Sequence, residues 1–154
     1  MNARSICSIL LLIGIVTACQ STAPTSSPEQ APLDAEIVLA PEQSSAVMGT
    51  DLTITFHAVV SDDRCPKEVE CVASGPVTVS LSVQEGNGAP NDFTLQTFTD
   101  QNGRAPHVQF EGVTNRAEVG EYVIQIAAVT PYPEGPNTAI KASEYRVALL
   151  VSEK

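Results

Sequence analysis

"TDLTITFHAVV", residues 50–60, and "PVTVSLSVQ", residues 76–84, alternate apolar and polar side chains with a period of two. In an extended strand successive side chains point to opposite faces. The first stretch therefore sends Leu52, Ile54, Phe56, Ala58 and Val60 to one face and Thr53, Thr55 and His57 to the other. The second sends Val77, Val79, Leu81 and Val83 inward against Thr78, Ser80 and Ser82. Strands half-buried in this way belong to antiparallel sheets with one face on a core.

The same period recurs along the chain, and no segment after the first twenty residues carries a sustained helical stripe. "EYVIQIAAV" (121–129) buries Tyr122, Ile124 and Ile126; "EYRVALLV" (144–151) buries Tyr145, Val147, Leu149 and Val151. Weaker strands are predicted over residues 35–40, 92–99 and 107–113. Phe98 breaks the parity set by Phe93 and Leu95, which predicts a bulge or an early strand end there. "DQNGR" (100–104) suits a tight hairpin turn at Asn102-Gly103, between the strands at 92–99 and 107–113, and "EGNGAPND" (85–92) is a second turn cluster. Together these signals predict an all-β chain, an antiparallel β-sandwich of about seven short strands over residues 33–154.

One landmark makes the expectation finer. "VGEYVIQI" (119–126) resembles the start of strand F in immunoglobulin-like domains, with Gly120 and Tyr122 in the matching places. The resemblance implies that the Tyr122 hydroxyl hooks back to the backbone. It also implies an apolar contact of Ile124 with Phe56 where that family has its inter-sheet disulfide.

Before the domain, "MNARSICSILLLIGIVTACQ" (1–20) has one positive charge at Arg4, an apolar run from Ile6 to Val16, then small residues. This is the pattern of an export signal, and the run is shorter than the roughly 20 residues that cross a bilayer as a helix. Val16-Thr17-Ala18-Cys19 resembles the lipobox of bacterial lipoproteins. The resemblance implies cleavage after Ala18, acylation of Cys19 and stable anchoring by two or more chains. Gln20 stands where that family's inner-membrane retention signal is an aspartate, so outer-membrane sorting is expected. An ordinary secretory signal with Cys19 as a spare thiol is the alternative. Residues 19–32, "CQSTAPTSSPEQAP", hold Ser, Thr, Pro and Gln and no large apolar residue, the composition of a flexible tether. At random-coil scaling it reaches roughly 20 Å.

With Cys7 in the signal and Cys19 acylated, Cys65 and Cys71 are the remaining thiols. Two thiols so close in an oxidising compartment are expected to pair. A ring of that size stabilises by about 2 kcal/mol through chain entropy. A redox pair normally has two residues between its cysteines, and a zinc site needs more ligands than these thiols supply. "DDRCPKEVECVASG" (62–75) resembles a motif of small bacterial lipoproteins: Asp-Ser-Arg-Cys-Pro, four residues, Cys, an apolar residue, Trp and a nearby Gly. Asp62 or Asp63, Arg64, Cys65, Pro66, Cys71 and Gly75 match it; the serine place is held by Asp63, and no tryptophan is present. That group implies fold and location and no reaction.

The chain carries a net charge of −10, and cleavage after residue 18 removes Arg4 and makes it −11. That excess repels nucleic-acid phosphates and anionic headgroups. Two histidines, His57 and His107, each expected on a solvent-facing side of a strand, are a poor start for a catalytic triad. Asp62 and Asp63 could serve as a calcium-ligand pair, but an Asp63–Arg64 contact is the simpler expectation. The sequence thus points to no catalytic residue, no cofactor, no metal and no small-molecule substrate. The expected function is that of a non-enzymatic binding or structural module in a bacterial envelope, meeting an envelope protein or wall component. Its candidate binding loops carry Arg64, Pro66, Lys67 and Glu68 and, in "TPYPEGPNTAIKAS" (130–143), Tyr132, Pro133 and Glu134. The alternative is an inhibitor of a periplasmic or host hydrolase that presents Lys67 from the Cys65–Cys71 loop. The intact mass of the purified protein should lack residues 1–18 and include acyl chains, and Cys19→Ser should remove both changes.

Overall fold

Nine strands form among the residues described by the computed structural model, 29–136 and 139–154. The expected signal segment, Cys19 and residues 20–28 of the expected tether lie outside the described residues. The strands are β1 (Glu29–Pro32), β2 (Glu36–Leu39), β3 (Gln43–Met48), β4 (Leu52–Asp62) and β5 (Val77–Glu85). They continue with β6 (Asn91–Thr97), β7 (Arg116–Val119), β8 (Tyr122–Thr130) and β9 (Arg146–Glu153). A single 3-10 turn, Ala142–Glu144, precedes β9. One sheet has the order β1-β3-β4-β5-β6 and the other β2-β9-β8-β7.

The chain is therefore an all-β sandwich, with nine strands in place of about seven. Ile54, Phe56 and Leu81 from the first sheet and Ile124, Ile126 and Leu149 from the second are fully buried in one core. Phe56 and Ile124 both belong to it, whereas no hydrogen bond from the Tyr122 hydroxyl occurs among the described residues. Tyr122 instead packs half-buried against the core.

The added strands are those whose sequence signal is weakest. β1 occupies the last four residues assigned to the tether and pairs parallel with β3, from Glu29 opposite Ser45 to Pro32 opposite Met48. Ala31 and the following Leu33 pack against the core, which supplies the burial that a Ser/Pro-rich segment ordinarily lacks. β3 turns Ser45 inward beside Val47, so a polar residue masks its alternation. β7 has only Ala117 and Val119 to bury.

The strand expected over residues 107–113 does not form, and its Val108 and Phe110 are 60% and 45% exposed. The turn before it explains why. Asp100 Oδ1 accepts hydrogen bonds from the backbone N–H groups of Asn102 and Arg104, and of the two turn residues only Gly103 takes a positive φ, 80°. A Cβ at Gly103 would lie 2.4 Å from the Val129 carbonyl oxygen. This close approach carries the chain across to β8, where Arg104 bridges Ala128, instead of back along β6. As its parity break implied, Phe98 lies beyond the end of β6; its ring meets that of Phe110 edge-on at 5.1 Å.

Bulges correct the face assignments of β4. Its register with β5 shifts between Phe56 and Ala58 and again between Val59 and Ser61. An extra residue in one strand reverses which side chains face inward. Val59 accordingly packs on the core, Ala58 is only half-buried, and Val60 is 61% exposed. In chemical unfolding, Val59→Thr is expected to cost about 1–2 kcal/mol by placing a hydroxyl against the core. Val60→Thr should stay within about 0.5 kcal/mol of wild type; strict alternation would give the reverse order.

Candidate functional site

Two loops leave the sandwich where β4 ends opposite the start of β5, and where β8 ends opposite the start of β9. Asp62 is the last residue of β4, and side chains two apart along an extended chain share a side. Arg64 therefore folds back onto Asp62, its Nε 2.7 Å from Oδ1 and its Nη2 2.5 Å from Oδ2. The neighbour contact expected between Asp63 and Arg64 is absent because adjacent side chains point apart. The backbone of Asp63 instead receives Gly75, whose N–H donates to its carbonyl at 2.9 Å. A Cβ on Gly75 would sit 2.6 Å from that of Asp63, so only glycine fits.

Arg64 is 3% exposed and reaches past its own loop to the other sheet. Nη1 donates to the Val129 carbonyl at 2.8 Å and Nη2 to the Pro131 carbonyl at 2.9 Å. Four of its five N–H groups are thus used, and its guanidinium carbon lies 5.0 Å from the centre of the Tyr132 ring. From the residue just before β9, the Tyr145 hydroxyl donates to Asp62 Oδ2 at 3.0 Å. Burial first, and then the neighbouring Asp62 charge and that hydrogen bond, push the Tyr145 hydroxyl up to about 12. Both Asp62 oxygens are committed to these partners, which leaves the calcium-ligand reading without a free pair.

The disulfide between Cys65 and Cys71 closes the first loop, and the second is bonded along it. The Tyr132 hydroxyl donates to the Cys65 carbonyl at 2.8 Å. The N–H groups of Lys67 and Glu68 donate to the carbonyls of Pro133 and Glu134 at 3.1 and 2.9 Å. The Lys67 ammonium is 2.7 Å from Glu134 Oε1. Between the loops lies an open cleft of about 400 Å³, lined by Pro66, Pro133, Gly135, Pro136, Ala139 and Ile140 together with Asp62, Arg64 and Tyr145.

Of the residues singled out in the sequence, all seven are brought together here, with different duties. Arg64 and Tyr132 are buried and hold the loops; Pro66 and Pro133 line the cleft; Lys67, Glu68 and Glu134 join loop to loop. Arg64 and Tyr132 are thus mostly buried, and Arg64 also forms part of the cleft wall. Sequence reasoning assigned no role at this site to Tyr145, 83 residues from Asp62. The one hint is a tyrosine at a strand mouth in a chain that also buries an arginine.

Elsewhere, His57 sits on the outer face of the five-stranded sheet, its Nε2 3.0 Å from Ser82 Oγ and its Nδ1 3.6 Å from Glu42 Oε2. The order of groups is that of an acid, a base and a nucleophile. Ser82 is only 8% exposed, and its strand is paired on both sides, so its ladder N–H groups are spent and offer nothing to an oxyanion. No metal-holding group of three or more His, Cys, Asp or Glu occurs among the described residues. No protein-family model, curated protein or solved structure matches the chain.

Arg64→Leu strands a buried carboxylate and is expected to cost about 3–5 kcal/mol; joining it with Asp62→Leu should cost less than that single change. Tyr145→Phe should cost about 1 kcal/mol at neutral pH. The raised hydroxyl keeps its proton in the fold at pH values where the unfolded chain has lost it. Wild-type stability from this source is full below pH 10 and falls as pH rises towards 12. The gap between wild type and Tyr145→Phe, measured by urea unfolding at several pH values, should narrow across that window.

Proposed function

We propose that this chain is a lipid-anchored protein of a bacterial cell envelope, sorted to the outer membrane, whose sandwich is a non-enzymatic binding module. The anchor is supported by Val16-Thr17-Ala18-Cys19 after a short apolar run, and the finer immunoglobulin-like reading by Phe56 and Ile124 sharing one core.

One observation carries the binding reading: two loops distant in sequence are joined at one end of the sandwich into a single surface around a cleft. A surface ordered in advance loses little freedom on binding, and loops on a rigid scaffold are where such folds keep recognition. An acidic chain of this kind favours an envelope protein or wall component over nucleic acid or bare anionic lipid. An inhibitor that inserts Lys67 would first give up the Lys67–Glu134 ion pair, so the module reading is preferred.

A photo-crosslinking residue placed in living cells at exposed Glu70, Val72 or Ala139 should trap one shared partner. The same residue at Glu121, at the far end of β8, should not trap it. Adducts common to all four positions, or none at any, would count against this surface.

A further inference from the structure

The four sheet edges are not equally protected. β2 and β7 are four residues long, and β1 is equally short and ends in a proline. β6 runs for seven residues, Asn91–Thr97, in unbroken register with β5, and holds no proline, lysine or bulge. Natural edges are usually blunted by such devices, by charged side chains or by a covering loop; at β6 a loop covers only Gln96 and the one charge is Asp92.

The backbone groups at this edge can be assigned. The Gln96 N–H points away from β5, because it donates to the Thr114 carbonyl at 2.7 Å. In an antiparallel ladder, inward and outward groups alternate residue by residue. Asp92 and Thr94 therefore also turn their N–H and C=O groups outward, and both residues are exposed. Segment 113–115 covers the edge at Gln96, and no backbone partner covers Asp92 or Thr94 among the described residues.

The side chains define what fits. On the outer face Asp92, opposite Ser82, is the one charge of β6, and residues 76–100 hold Glu85, Asp92 and Asp100 with no lysine or arginine. On the inner side, half-buried Phe93 packs at the margin of the core. A strand laid against β6 would place one set of side chains beside a carboxylate and the alternate set beside Phe93.

We infer that β6 is a strand-addition site for an extended segment of a partner protein in which cationic and apolar residues alternate, held by the backbone groups of Asp92 and Thr94. The main chain would supply affinity and the alternating side chains the selectivity. This surface is distinct from the clamped loops and does not rest on their proposed role.

The test uses the purified protein and the synthetic peptide acetyl-Val-Lys-Val-Lys-Val-amide, read by amide hydrogen exchange and NMR titration. At saturation, the Asp92 and Thr94 amides should exchange at least tenfold more slowly. A peptide with glutamate in place of lysine should bind at least tenfold more weakly, and Asp92→Lys should invert that preference. Methylating the peptide's edge-facing amides should weaken binding about tenfold or more, a control that needs no change in the protein. Thr94→Pro, at a position whose N–H faces solvent, should abolish binding. Equal binding of the methylated peptide, or binding without protection of those two amides, overturns the inference. Concentration-dependent dimerisation that protects them without peptide assigns the edge to a second copy and overturns it too.

Discussion

A buried guanidinium joins the two halves of this molecule. Arg64 leaves the end of β4 in one sheet and bonds carbonyls at and just beyond the end of β8 in the other, while its charge is met by Asp62. Taking such a pair out of water costs several kcal/mol per ion, and its mutual attraction roughly offsets that cost. Its contribution is geometric: the fork of N–H groups is satisfied in one arrangement of the loops and left bare in others. Tyr132 below the guanidinium and Tyr145 on Asp62 complete that arrangement.

From this joint the rest of the loop end follows. Pinning Pro131 brings Pro133 and Glu134 alongside Lys67 and Glu68, where backbone hydrogen bonds form between loops. The disulfide holds the partner loop to a small ring so that those bonds meet a fixed surface. The cleft is a consequence of prolines on both walls, whose backbone N–H groups are missing and which cannot close into a further ladder.

Irregularities in the sheets set the remaining surfaces. Bulges in β4 and β8 change facing side chains without changing the strands themselves, placing Val59 and Val129 in the core. The crossing at Gly103 spends residues 104–115 on passing between sheets, leaving Val108 and Phe110 outside. The net charge of −10 bears on which partners approach any exposed edge.

The sequence by itself determined the fold class, because a period of two over β4, β5, β8 and β9 admits only strands with one buried face. It also determined that Cys65 and Cys71 are near enough to pair, and that the Pro-rich stretch after β8 is a long connection. It did not determine parity past a bulge, since an inserted residue leaves no mark in composition, nor the strands whose burial depends on a neighbour's free edge, as in β1. Tertiary structure alone decided that Arg64 is a buried joint between the sheets. The reason is physical: its partners Val129, Pro131 and Tyr145 lie more than sixty residues away, and only folding brings their oxygen atoms within reach of one side chain or its counter-ion.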